Sequence, residues 1–231
     1  MIQAIYDEMW ERFEKSIVSN QYEIDKNINS SRDLRRGITA LSYLNENSLK
    51  TTEKICAFTE EIKEIEPSLY VQPVNEIHLT ILSIISCVDG FTLSSIDENR
   101  YMEVFQESMR TAEPITIQFK GISASPSCIV IQGYSDKDRL NELRDSLRNN
   151  FRDAGLHYTF DTRYKLTTAH STVVRFSNEI NNCPQLLKFC QENRERDFGR
   201  VELSSFDLVY NDWYQSLGNT IRLSKYSAMA I

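Results

Sequence analysis

The order strand, helix, strand occurs twice along this chain, each time with a β-rich apolar run that carries a histidine. That double occurrence limits the folds open to it more than any other feature. "GITALSYL" (37–44) alternates well enough for a strand, and "SLKTTEKICAFTEEIKEIEP" reads as a helix opened by a Ser48 cap and stopped before Pro67. The apolar run "EIHLTILSII" (76–85) closes the first set. After a helix over 97–110, "PITIQFKGISA" and "SCIVIQGY" form strands around a Ser-Pro-Ser turn, and "DKDRLNELRDSLRNNFRDAG" is a long amphipathic helix ending at Gly155. The second run, "LTTAHSTVVRF", comes next. A helix near 184–194 and two strands, "GRVELSSFDLVYN" and "NTIRLSKYSAMA", complete the chain. The expected fold class is therefore α+β, with two lobes related by an approximate internal duplication.

Ile5, Met9, Phe13 and Ile17 recur every four residues near the start, with Ile2 and Trp10 widening the stripe, so the first 18 or so residues read as an amphipathic helix. Its polar face is acidic instead of Lys/Arg-rich, which favours packing on the protein body over a membrane surface. The polar run 25–33 reads as a linker. The expected organisation is an N-terminal helix and linker over 1–34 and a single bilobal domain over 35–231.

With 231 residues and 41% hydrophobic content, the chain can bury a full core. Its 26 Lys+Arg against 33 Asp+Glu give a formal net charge of -7, which repels a long duplex instead of steering it in. A nucleic-acid partner is therefore expected to be short, a nucleotide or a single RNA end held by a local positive cluster. The five cysteines are odd in number and form no CxxC pair, as for reduced thiols in a cytosolic protein. No signal-peptide pattern and no long apolar span is present, so the expectation is a cytoplasmic protein with no membrane partner.

All three histidines stand in one local pattern: His78-Leu79-Thr80, His157-Tyr158-Thr159 and His170-Ser171-Thr172. With Ser and Thr at roughly one residue in six, three such matches arise by chance about one time in two hundred. On a strand, residues i and i+2 share a face, so each HxT sets an imidazole beside a hydroxyl. His78 lies in a long β-branched strand and His170 in the longer second run. His157 comes just after the helix-ending Gly155, in a short segment that suits a surface residue. Opening a phosphodiester needs a base, an acid and donors for the non-bridging oxygens. Two imidazoles can share the first two tasks near neutral pH, and the Thr80 and Thr172 hydroxyls can hold the phosphoryl oxygens.

On these residues the chain resembles the 2H phosphoesterase superfamily, which contains the bacterial RNA 2′,3′-cyclic phosphodiesterase and 2′-5′ RNA ligase-like proteins. "IHLTILSI" is similar to the first family strand and "AHSTVVRF" to the second, with the middle region "ITIQFKGISASPSCIVIQGY" between them. Ala169 departs from the Pro that many members place before the second histidine, and the helix of residues 1–18 lies outside the likeness. The resemblance implies a bilobal fold with two mostly antiparallel sheets around a central cleft, catalytic His78, Thr80, His170 and Thr172, no cofactor, and a basic residue at Arg175. It also implies a substrate-side aromatic in "NDWYQSLG", hence Tyr214 or Trp213. Arg163 and Arg175 are the first candidates for the phosphate, with Lys165, Arg35 and Arg36 behind them, and Tyr164 and Tyr70 are further rings for a base.

Other readings compete. A zinc site built with Asp161 or Asp207 lacks HExxH or any His/Cys cluster at ligand spacing. GxGxxG, the P-loop and the nucleophile elbow are missing, which argues against kinases, NTPases, dinucleotide enzymes and an ATP-driven ligase. The expected function is a metal-independent phosphodiesterase of a 2′,3′-cyclic phosphate or a 2′-5′ linked oligonucleotide. The alternatives are a hydrolase of another small cyclic phosphodiester, such as a cyclic nucleotide signal or a cyclic ADP-ribose phosphate, and a non-catalytic nucleotide- or RNA-end-binding module.

Overall fold

Side-chain caps and apolar periodicity set the helices, and β-branched runs set the strands. The computed structural model describes residues 2–28, 30–162 and 165–229. In chain order the elements are α1 (Ile2–Val18), β1 (Arg36–Tyr43), α2 (Leu44–Asn47), α3 (Leu49–Ile65), β2 (Tyr70–Val71), β3 (His78–Val88), α4 (Glu98–Met109) and β4 (Ile115–Ser125). They continue with β5 (Cys128–Ser135), α5 (Arg139–Asp153), β6 (Ser171–Arg175), α6 (Cys183–Glu192), β7 (Asp197–Leu203), β8 (Ser205–Asp212) and β9 (Ile221–Ser227). Ser48 caps α3 by accepting from the Thr51 amide, and Asp97 caps α4 by accepting from the Arg100 amide. Each such cap contributes about 1 kcal/mol.

The strands form two antiparallel sheets, as expected. One has the order β3-β1-β8-β9 and the other β2-β6-β5-β4-β7. Helices α4 and α5 pack together and against the first sheet, while α1 and α3 cover the second and α6 packs on both of these helices. Along β3, Leu79, Ile81 and Ile84 are buried in the core, each stabilising the fold by about 1.5–3 kcal/mol. The lobes are not consecutive halves of the chain, because the first sheet pairs β1 and β3 with β8 and β9 from the far end.

Two local expectations are corrected. "GRVELSSFDLVYN" is not one strand: it breaks at Ser204 into β7 and β8, which belong to different sheets. The Asn47 carboxamide oxygen accepts from the amides of both Ser204 and Ser205 at the break, removing those donors from a ladder. In α1 the buried face runs through Tyr6, Phe13 and Ile17, with Trp10 partly packed, while Ile5 stays exposed. Tyr6 displaces Ile5 because its hydroxyl finds partners deep inside, donating to the Gly133 carbonyl at 3.2 Å and accepting from the Gly133 amide at 3.3 Å. The helix expected to precede the domain thus reaches into its core.

Candidate active site

His78 opens β3 of the first sheet, His170 stands one residue ahead of β6 of the second, and the two share one burial pattern. In 78–81 and again in 170–173, half-buried and buried residues alternate: His78, Thr80, His170 and Thr172 are half-buried, whereas Leu79, Ile81, Ser171 and Val173 are buried. In an extended chain this puts each imidazole on the same side as its threonine hydroxyl. β3 and β6 approach one another beside a cleft of about 260 Å³, which one residue of each HxT pair lines and which His78 and Thr172 do not. Thr80, His170 and Arg175 line that cleft.

The rings are held differently. The Nδ1 of His78 lies 2.6 Å from the carbonyl oxygen of Glu76, which can only accept. Nδ1 therefore carries the hydrogen, and in the neutral ring Nε2 keeps its lone pair. The Nδ1 of His170 lies 2.9 Å from the Thr168 hydroxyl, which can donate or accept. Burial pulls the pKa of both rings from 6.5 down to about 4. Arg175 adds to the effect at His78, and Arg144, His78 and Arg175 add to it at His170. Each histidine thus sits within electrostatic reach of Arg175, and His170 within reach of His78.

The other expected residues divide. The Arg175 guanidinium lies 5.5 Å over the Tyr214 ring, and its Nε is buried without a hydrogen-bond partner among the described residues. Tyr214 is buried beneath it, its hydroxyl accepting from Arg35 at 3.1 Å and donating to Asp25 at 2.9 Å. Its neighbour Trp213 lines the cleft, with the Arg35 guanidinium 4.8 Å over its ring. Arg35 is ion-paired to Asp33 at 2.6 Å, and Arg36 donates to the carbonyls of Asp33 and Arg35. Lys165 pairs with Asp145. Arg163 and Tyr164 lie outside the described residues. His157 is exposed, and Thr159 is occupied by β3: its hydroxyl accepts from the Ser86 amide at 2.7 Å and its own amide donates to Ile84. Among the described residues no three His, Cys, Asp or Glu side chains are grouped to hold a metal ion.

Several site residues escaped the sequence reading. Asn211 and Gln215 are buried and line the cleft, and their carboxamide oxygens have no partner among the described residues. Asp212 shapes the loop that presents them, accepting from the amides of Tyr214 and Ser216 and from the Asn219 side chain. A backbone φ of 61° at Gln215 marks a strained, tightly held turn there. On the other side, Gly133 of β5 passes so close to Ala169 that an added Cβ would run into the Ala169 carbonyl oxygen. That packing fixes the residue before His170. An Asn-Asp pair and a strand glycine carry no sequence signal of such roles.

Two HxT segments delivered by neighbouring strands of two antiparallel sheets, with a basic residue lining the cleft beside them, are the features of a LigT-like 2H phosphoesterase scaffold. The sequence profile described as AKAP7 2'5' RNA ligase-like domain matches residues 11–216, and the chain belongs to that family. The match begins inside α1. Among solved structures, Escherichia coli LigT complexed with NADP+ superimposes with a TM-score of 0.56 at 13% identity, covering 85% of this chain and 99% of that one. TT0787 of Thermus thermophilus gives 0.54 at 16% identity, covering 83% and 97%. A conserved protein of unknown function from Agrobacterium tumefaciens str. C58 gives 0.54 at 13% identity, covering 91% and 98%. At such identities these likenesses show the fold. No curated protein matches the chain.

Proposed function

We propose that the chain is a metal-independent phosphodiesterase that opens a 2′,3′-cyclic phosphate or a 2′-5′ linkage in a small nucleotide or at an RNA end. The observation that carries this reading is the pair of half-buried imidazoles at the starts of two neighbouring strands, each with a threonine on its own side. His78 is the base: its Nδ1–H is committed to the Glu76 carbonyl, which leaves the Nε2 lone pair to take a proton from the attacking water or hydroxyl. His170 is the acid, giving its Nε2 proton to the leaving ribose oxygen. The Thr168 hydroxyl serves its Nδ1 in either protonation state. Thr80, Thr172 and Arg175 meet the charge on the non-bridging oxygens. Burial keeps both rings neutral in the empty cleft, and an anionic phosphodiester seated between them opposes that depression and restores a proton to the acid.

Nucleotide-sized ligands suit the dimensions of the cleft, and E. coli LigT has been solved with 3'-AMP and with ATP. The test is an assay of 2′,3′-cyclic nucleotides, 2′-5′ linked dinucleotides and a 3′,5′-cyclic nucleotide, each with and without EDTA. Turnover of one of the first two classes, unchanged by EDTA, is expected. Binding without turnover of any of them would leave the non-catalytic module as the better account, and loss of turnover in EDTA would overturn the metal-independent mechanism.

A further inference from the structure

Helix α5 carries arginines at 144, 148 and 152, spaced so that they share one side of the helix. Each reaches the segment that leads into His170. The Arg152 guanidinium lies 5.1 Å over the Phe160 ring. Arg148 pairs with Asp161 at 2.9 Å and donates to the Leu166 carbonyl at 3.4 Å. Arg144 differs from both. It is wholly buried, and among the described residues all its hydrogen bonds end on carbonyl oxygens. Its Nε donates to Ile81 at 2.9 Å, one Nη donates to Thr80 at 3.2 Å and to Thr168 at 2.8 Å, and the other reaches the Asn141 side chain at 3.4 Å.

A cation buried without a counter-ion is costly, and burial pulls the Arg144 pKa down to about 10. Leucine or methionine would fill the space without that penalty. What neither supplies is a rigid planar fork that joins two chain segments. The segments joined here are the two that carry the histidines: Thr80 stands two residues after His78, and Thr168 two residues before His170. The same Thr168 whose backbone Arg144 grips also bonds the His170 ring through its hydroxyl.

We propose that Arg144 is a positioning residue that sets the separation and orientation of the two histidine-bearing segments by holding the Thr80, Ile81 and Thr168 carbonyls on one guanidinium. The inference rests on the reading of the cleft as a two-histidine site, and the test separates the two. Arg144→Lys keeps a cation but loses the fork, and Arg144→Gln loses both. Leu147→Ala, a buried neighbour on α5, controls for simple loosening of the helix. With a 2′,3′-cyclic nucleotide, Arg144→Lys should lower kcat at least tenfold with KM within threefold, while Leu147→Ala lowers Tm but keeps kcat within twofold. The charged and titratable groups acting on His170 are Arg144, His78 and Arg175. Its ring signal should accordingly titrate at higher pH in Arg144→Gln than in the native protein, and at the native pH in Arg144→Lys. Native kcat in Arg144→Lys, or an equal loss of kcat in Leu147→Ala at equal loss of Tm, overturns the inference. If the native protein turns over no phosphodiester, the functional reading falls, and the chemical shifts of the two neutral histidine rings decide Arg144 by themselves. Shifts displaced in Arg144→Lys but not in Leu147→Ala support the role, and native shifts in Arg144→Lys overturn it.

Discussion

The two histidine-bearing segments have the same burial pattern and are held in place by different means. His78 opens an eleven-residue strand, β3, and its ring is fixed by a backbone carbonyl. His170 stands one residue ahead of a five-residue strand, β6, and depends on side chains and close packing: the Thr168 hydroxyl, the Arg144 fork on Thr168, and Gly133 pressed against Ala169. A ring on a carbonyl has one tautomer when neutral. A ring on a hydroxyl can exchange donor and acceptor roles without losing its partner. On the proposed function, the difference suits the rigid segment to the base and the adaptable one to the acid.

The sharpest way to break the comparison is to remove each ring. His78→Ala and His170→Ala should each lower kcat by about a thousandfold or more, within the range that acid/base groups supply. His157→Ala should stay within twofold, as its exposed position implies. A near-native rate in His170→Ala would mean that the second member of the pair is misassigned. Thr168→Val keeps the volume and removes the hydroxyl, a loss of about 1 kcal/mol or roughly fivefold in kcat. A rate unchanged by this substitution would show that His170 does not depend on its hydroxyl partner. The mildest effect is on stability. Both rings titrate lower in the folded chain than their ordinary 6.5, so below about pH 6.5 the unfolded chain binds protons that the folded chain refuses. The stability carried by these neutral rings is full above that pH and is lost as pH falls toward 4. Thermal denaturation of His78→Gln and His170→Gln between pH 7 and pH 4 should each show a shallower loss than the native protein. Parallel curves for all three proteins would contradict the depressed values.

Much of the fold was legible in the sequence because its signals are local. The Ser48 and Asp97 caps, the β-branched run after His78 and the Ser-Pro-Ser turn each act within a few residues, and the structure places elements where they predict. The residues that hold the site were less legible. Arg144 lies in "RLNELRDSLRNNF", where an arginine at helical spacing reads as solvated surface, and only the tertiary contact with two distant carbonyl clusters gives it another meaning. The break at Ser204 shows in the sequence only as a change of phase, from apolar residues at 201 and 203 to apolar residues at 206 and 208, a pattern that a bulge within one strand would produce as readily as a passage between sheets. The tilt of α1 toward Tyr6 was decided by hydrogen-bond partners on β5, which no period along the helix records.

That passage at Ser204 also bears on how the molecule is made. Arg36 of β1 pairs with Asp212 of β8, so the first sheet waits for β8 to be synthesised before its central pairing can form. The second sheet closes earlier, since β7, which completes it, is synthesised ahead of the break. During synthesis the segment with His170 therefore has its sheet while β1 and β3 still await β8. The wall of the cleft that carries Asn211 and Gln215 is therefore the last of it to be assembled.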